Sequence, residues 1–137
     1  MADDSEILGV QRLLVVLGRM GELLTSSIAA SVPEGLTGNG PVTTLLKLHI
    51  DGPSRPGVIM DLTGLTSSGV TRMLDRLEEA GLVRRRYGSV DIDRRGTVVA
   101  LTPAGRRVCG TMARSVLEVL PDVRVLLKEI DTIDAAS

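Results

Sequence analysis

Apolar residues recur at Val10, Leu13, Leu14, Leu17, Met20, Leu24 and Ile28, mostly three or four apart, as along one helix face. They predict a long amphipathic helix over residues 6–30. Leu8, Val15, Val16 and Leu23 widen the stripe beyond what one small core needs, and that breadth suits an interface with a second copy of the chain. The next stretch, "SVPEGLTGNGP", is broken by glycine and proline and reads as a loop. A second helix is expected from about Pro41 through Leu45, Leu46, Leu48 and Ile50, closing at "DGP". "SRPGVIMDLTG" predicts a short third helix with Pro56 near its start and Gly64 at its end. Gly57 and Val58 are poor helix formers, so this element depends on tertiary packing.

"LTSSGVTRMLDRLEEAGL" predicts the fourth helix, with Thr66 as N-cap, a strongly periodic body and Gly81 as its stop. Two short β-rich runs, "LVRRRY" and "TVVAL", flank a charged tip and form a hairpin with a long loop. Thr102 and Pro103 start a fifth helix whose face is Val108, Met112, Val116, Val119 and Leu120. Pro121 is expected to interrupt it, and "DVRVLLKEI" to add a last short helix. The expected order is α-α-α-α-β-β-α-α, mainly α with a small β-hairpin.

Composition narrows the possibilities. The chain has 137 residues, enough for one ordinary domain. It has no Phe or Trp, and Tyr87 is its only aromatic besides His49, so Leu, Val, Ile, Met and Ala must fill the core. A single cysteine, Cys109, excludes an internal disulfide and a multi-cysteine metal site, and suits a reducing cytoplasm. "MADDSEILGV" carries acids where a secretory leader needs bases, and no apolar run approaches a membrane span. No metal or cofactor is expected. Nor is an enzyme: there is one histidine, no nucleophile–base pair, and no phosphate-cradling glycine loop with lysine.

Net charge is −1, but it is unevenly spread. Residues 67–107 hold nine arginines against five acids, a balance of +4, while the remainder holds seven bases against twelve acids, a balance of −5. One basic segment in an otherwise acidic chain points to a polyanion-binding face.

The third and fourth helices, joined by three residues, make a helix-turn-helix. Val70, Met73, Leu74 and Leu77 form the fourth helix's apolar stripe. Ser68, Arg72, Asp75, Arg76 and Glu79 lie opposite, with Ser67 and Thr71 on a flank. Small hydroxyl residues let a helix enter the major groove, and Arg72 can reach a guanine edge with both prongs. Asp75, Glu78 and Glu79 sit toward the helix's far end. At the hairpin tip, Asp91 or Asp93 can hold Arg94 or Arg95 extended toward an adjacent minor groove. Arg84, Arg85 and Arg86 alternate faces along the first strand. Arg84 and Arg86 are candidate phosphate contacts, and one arginine of the three is expected to pair with the helix acids.

The segment Gly64 to Arg107 resembles the winged helix-turn-helix of the multiple-antibiotic-resistance regulator (MarR) family. The matching motifs are "GLT" before the recognition helix, "VTR", "LDRLEEAGLV", "DRR" and "LTPAGR". The resemblance implies a single domain over 1–137, with a winged helix-turn-helix at 41–101 and dimerisation helices at 6–30 and 103–131. It implies DNA contacts from Ser67, Ser68, Thr71 and Arg72, and from Arg94 or Arg95 braced by Asp93; Arg76, on the same outward side, is a further candidate contact. It also implies a homodimeric transcriptional repressor on a pseudo-palindromic operator, released by a small effector. Two departures stand out: Gly69 where a larger side chain is usual, and "GNGPVTT" in place of a more helix-prone start to the second helix. The competing reading is a winged-helix protein-interaction module that does not bind DNA, for which an apolar or acidic recognition face would be the signature. The remaining singled-out residues have plain expected roles: His49 at the surface or lining a pocket, Cys109 as an apolar filler, Tyr87 packing at the wing base.

Overall fold

The computed structural model describes residues 1–87 and 96–135. They form two compact units, residues 1–30 with 113–135, and residues 31–112.

The first unit pairs α1 (Asp4–Ala29) with the later part of α5 (Pro103–Ala135). A reciprocal cap starts α1: Asp3 accepts from the Glu6 amide at 2.8 Å, and Glu6 accepts from the Asp3 amide at 3.0 Å. Asp3 and Glu6 thereby open the helix. The broad α1 stripe divides into two lines. Leu13, Val16, Met20 and Leu23 are buried or half-buried, whereas Ile7, Val10, Leu14 and Leu17 stand exposed, Leu14 at 62 %.

Pro121 does not interrupt the last helix, contrary to expectation: α5 is one helix of 33 residues. The line Met112, Val116, Val119, Val123, Leu126 and Ile130 keeps its alternating four-and-three spacing through the proline, and each member is buried or half-buried. Pro121 itself is exposed, as is Leu117, whose carbonyl loses its helical donor. Helix-forming sequence on both sides tolerates one missing bond on a solvated face.

The second unit runs α2 (Asn39–Asp51), α3 (Pro56–Thr63), α4 (Ser67–Glu79), β1 (Val83–Arg86), β2 (Val98–Leu101), then the first turns of α5. Its core includes Leu45, Ile59, Leu74, Leu77 and Val99, each at most 2 % exposed. The second helix begins at Asn39, ahead of Pro41, with Gly38 as an N-cap that supplies no side-chain bond. The strands pair antiparallel, Val83 with Leu101 through Arg86 with Val98. Sequence reasoning missed a third partner. Ser54, just before α3, exchanges backbone bonds with Val99 at 3.0 and 2.8 Å, which ties the root of the helix-turn-helix to β2. A single-residue bridge has no periodicity to reveal it.

Candidate nucleic-acid interface

The four α4 residues Val70, Met73, Leu74 and Leu77 are all buried. Each such side chain contributes roughly 1.5–3 kcal/mol on leaving water, so this stripe dictates which side of α4 faces out. The outward side carries Ser67, Ser68, Thr71, Arg72, Asp75, Arg76 and Glu79, all exposed. Its first turn is capped by Thr66, whose hydroxyl accepts from the Gly69 amide at 3.1 Å and lies 3.2 Å from the Ser68 hydroxyl. Gly69 suits that cap, because an added Cβ would come within 3.2 Å of the Thr66 oxygen. The Thr71 hydroxyl donates back to the Ser67 carbonyl at 3.1 Å, leaving its acceptor side outward.

At the far end, Gly81 (φ 75°) and Leu82 close α4 by donating to the carbonyls of Glu78 and Leu77 at 2.9 and 3.0 Å. Leu82 and Leu77 are both buried, the apolar contact that accompanies this motif. The chain then enters β1 directly, so the α4 stop also sets the start of the wing. "LTPAGR" secures the other strand's exit. The Thr102 hydroxyl donates to the Gly81 carbonyl at 2.5 Å and caps the Gly105 amide at 3.1 Å, while the Thr102 amide donates to the Leu82 carbonyl at 3.0 Å. Gly105 is needed there, since a Cβ would stand 2.2 Å from the Leu82 carbonyl oxygen.

On β1, Val83 is buried and Arg84 and Arg86 are exposed. Arg85 turns toward α4: its Nε donates to Glu78 at 2.7 Å and its Nη2 to Asp75 at 2.5 Å. Partial burial opposes its charge, but the bonds to Asp75 and Glu78 outweigh that and raise its pKa. Arg85 is thus the arginine of the three that pairs with helix acids. Arg72, Arg84 and Arg86 pair with no described residue. Asp93, Arg94 and Arg95, expected at the wing tip, lie outside the described residues.

Arg76 points in a direction the sequence did not reveal. Its guanidinium lies beside Gly35, whose Cβ would be 3.6 Å from Nη2. With Arg72 and Met73 it lines a groove of about 480 Å³ facing Gly35, Gly38 and Gly40. Tyr87 does not pack at the wing base as expected: the residue is 67 % exposed, past the buried pair Leu82 and Val83. His49 is on the surface. Cys109 is buried, its Sγ 3.4 Å from the Leu45 carbonyl, and burial raises the thiol's pKa. Among the described residues no His, Cys, Asp or Glu cluster has metal-binding geometry, and no helix is long and apolar enough to cross a membrane.

A family model described as the MarR family matches residues 34–96, from the loop before α2 to the end of the charged tip. Among solved structures, RV1404 of Mycobacterium tuberculosis is similar at 25 % identity and TM-score 0.75, covering 99 % of this chain and 92 % of that one. A mutant MarR of E. coli, crystallised in complex with operator DNA, is 26 % identical at TM-score 0.66, covering 94 % and 88 %. A MarR-family transcriptional regulator from Silicibacter pomeroyi is 27 % identical at TM-score 0.55, covering 86 % and 82 %. No curated protein matches the chain.

Proposed function

We propose that the protein is a sequence-specific DNA-binding transcriptional regulator of the MarR family, whose model matches residues 34–96. In this reading it is a homodimeric repressor acting in the cytoplasm on a pseudo-palindromic operator. The observation that carries it is the division of α4: its apolar residues are all buried, while Ser67, Ser68, Thr71 and Arg72 face solvent together. The acids of the same helix that sit nearest the wing, Asp75 and Glu78, are engaged by Arg85. A cationic, small-residue surface is left at the helix's N-terminal half, the end that enters the major groove in helix-turn-helix docking. The operator-bound E. coli relative supports the same use of the fold.

Exposed apolar residues support the dimer. Ile7, Val10, Leu14 and Leu17 on α1, with Leu117, Val125 and Leu127 on α5, are between 47 % and 62 % exposed. Water-facing aliphatics in such number, on two helices of one unit, suit burial against a second copy. Two subunits would then read half-sites about one DNA turn apart. Release by a small effector belongs to the proposal through the family resemblance, and a thermal-shift screen of small molecules addresses it.

Gel shifts with a genomic fragment library at low salt test the main reading. The expected result is retention of a few fragments sharing an inverted repeat, with affinity falling by about 0.9 log units per log unit of salt for each phosphate neutralised. Arg72→Ala should cost on the order of 1–3 kcal/mol and lose discrimination at one base pair. Absence of any shift at low salt would end the proposal.

A further inference from the structure

Arg85 differs from its neighbours in the arginine run. The guanidinium bridges two carboxylates one turn apart on α4, Nε and Nη2 each 2.7 Å from Glu78 and Nη2 2.5 Å from Asp75. A planar fork held on two points resists both rotation and sliding, unlike a single-point lysine contact. The Arg85 side chain is 21 % exposed, while its partners Asp75 and Glu78 are 55 % and 37 % exposed, so the value of the pair lies in its two-point geometry rather than in shielding from water. Its place along the strand matters equally. Val83 is buried and Arg85 half-buried, whereas Arg84, Arg86 and Tyr87 are exposed, so nothing past Arg85 on β1 is covered. Among the described residues Arg85 is therefore the outermost tie between the hairpin and α4. It also covers two carboxylates that would otherwise face a polyanion uncompensated.

We propose that Arg85 is a positioning residue for DNA binding: by clamping β1 to Asp75 and Glu78 it holds the wing at a set angle to the recognition helix, and it does not itself contact phosphate. The proposal rests on the DNA-binding reading above. The two roles for Arg85 predict opposite outcomes when the acids are neutralised. If Arg85 were a phosphate contact restrained by Asp75 and Glu78, Asp75→Asn with Glu78→Gln would free it and tighten binding to a selected operator. If it is a clamp, the same pair of changes should imitate Arg85→Met, which keeps the aliphatic stem.

The experiment uses the full-length protein and an operator selected from random DNA. It compares hydroxyl-radical footprints and affinities of the wild type, Arg85→Met and Asp75→Asn/Glu78→Gln, with melting temperature as a check on folding. The expected result is loss of minor-groove protection flanking each half-site in both variants, with guanine protection under the recognition helix retained. Operator affinity should fall about tenfold, the worth of a charge-assisted bond pair. Exchanging the charges, Glu78→Arg with Arg85→Glu, should restore part of the flanking protection. Flanking protection that survives in Asp75→Asn/Glu78→Gln, or tighter operator binding by that variant, overturns the clamp. Failure of the wild type to bind any DNA would instead overturn the function on which the clamp rests.

Discussion

The recognition helix and the first helix handle their apolar residues in opposite ways. On α4 every stripe residue is buried within its own unit and the outward side is polar. On α1 only Val16 is buried, and six large aliphatics, among them Leu14 and Val15, remain more than 45 % exposed. The contrast separates an element whose burial is complete within one chain from one whose burial is not. A helix of the first kind can offer its free face to a polar ligand. One of the second kind keeps its hydrophobic driving force in reserve for another protein surface.

Substitutions in the two regions should therefore fail differently. Leu77→Ala removes a fully buried side chain and should cost about 2–5 kcal/mol. In urea titrations the loss should be the same at every protein concentration; an unchanged midpoint would mean that α4 is not the self-sufficient element described. Leu14→Asp alters only the exposed line of α1. Helical circular dichroism should persist while light scattering shows a monomer, and the melting temperature should lose its dependence on concentration. A Leu14→Asp protein that still dimerises would move the interface away from this face.

Smaller effects refine the α4 side of the comparison. Thr66→Ala removes the cap on Gly69 and should cost about 1 kcal/mol in chemical denaturation. Operator binding should suffer as well, since the cap orders the turn carrying Ser67 and Ser68. Cys109 should show the least change of all: native protein should resist iodoacetamide that labels the urea-unfolded chain. Burial raises the thiol's pKa in the folded state. Its contribution to stability is therefore intact below the unfolded thiol's value of about 8.5, and declines as pH rises above it, because the unfolded chain alone gains a thiolate. Fast native labelling at pH 8 would show that the side chain is not shielded.

Much of the α4 face was readable beforehand because helical periodicity is a local property. Val70, Met73, Leu74 and Leu77 announce their side, Thr66 its start and Gly81 its stop, and each operates over one turn of chain. On α1 the same periodicity overreached: it marked one wide stripe but could not say that Val16 turns inward while Leu14 stays out. Tyr87 misled for a related reason, since nothing local says that burial on this strand ends before it.

By itself, the sequence settled the number and kind of the early elements, the buried side of α4, the winged helix-turn-helix and its basic stretch. These follow from spacing, capping and charge within a few residues. The tertiary structure alone decided that α5 runs through Pro121, that Ser54 joins Val99, that Arg85 among three adjacent arginines engages Asp75 and Glu78, and that Arg76 leans over Gly35. Each of those outcomes depends on which distant atoms meet or on whether a freed backbone group reaches water. A linear pattern does not encode either one, because packing chooses among partners that local chemistry leaves equivalent.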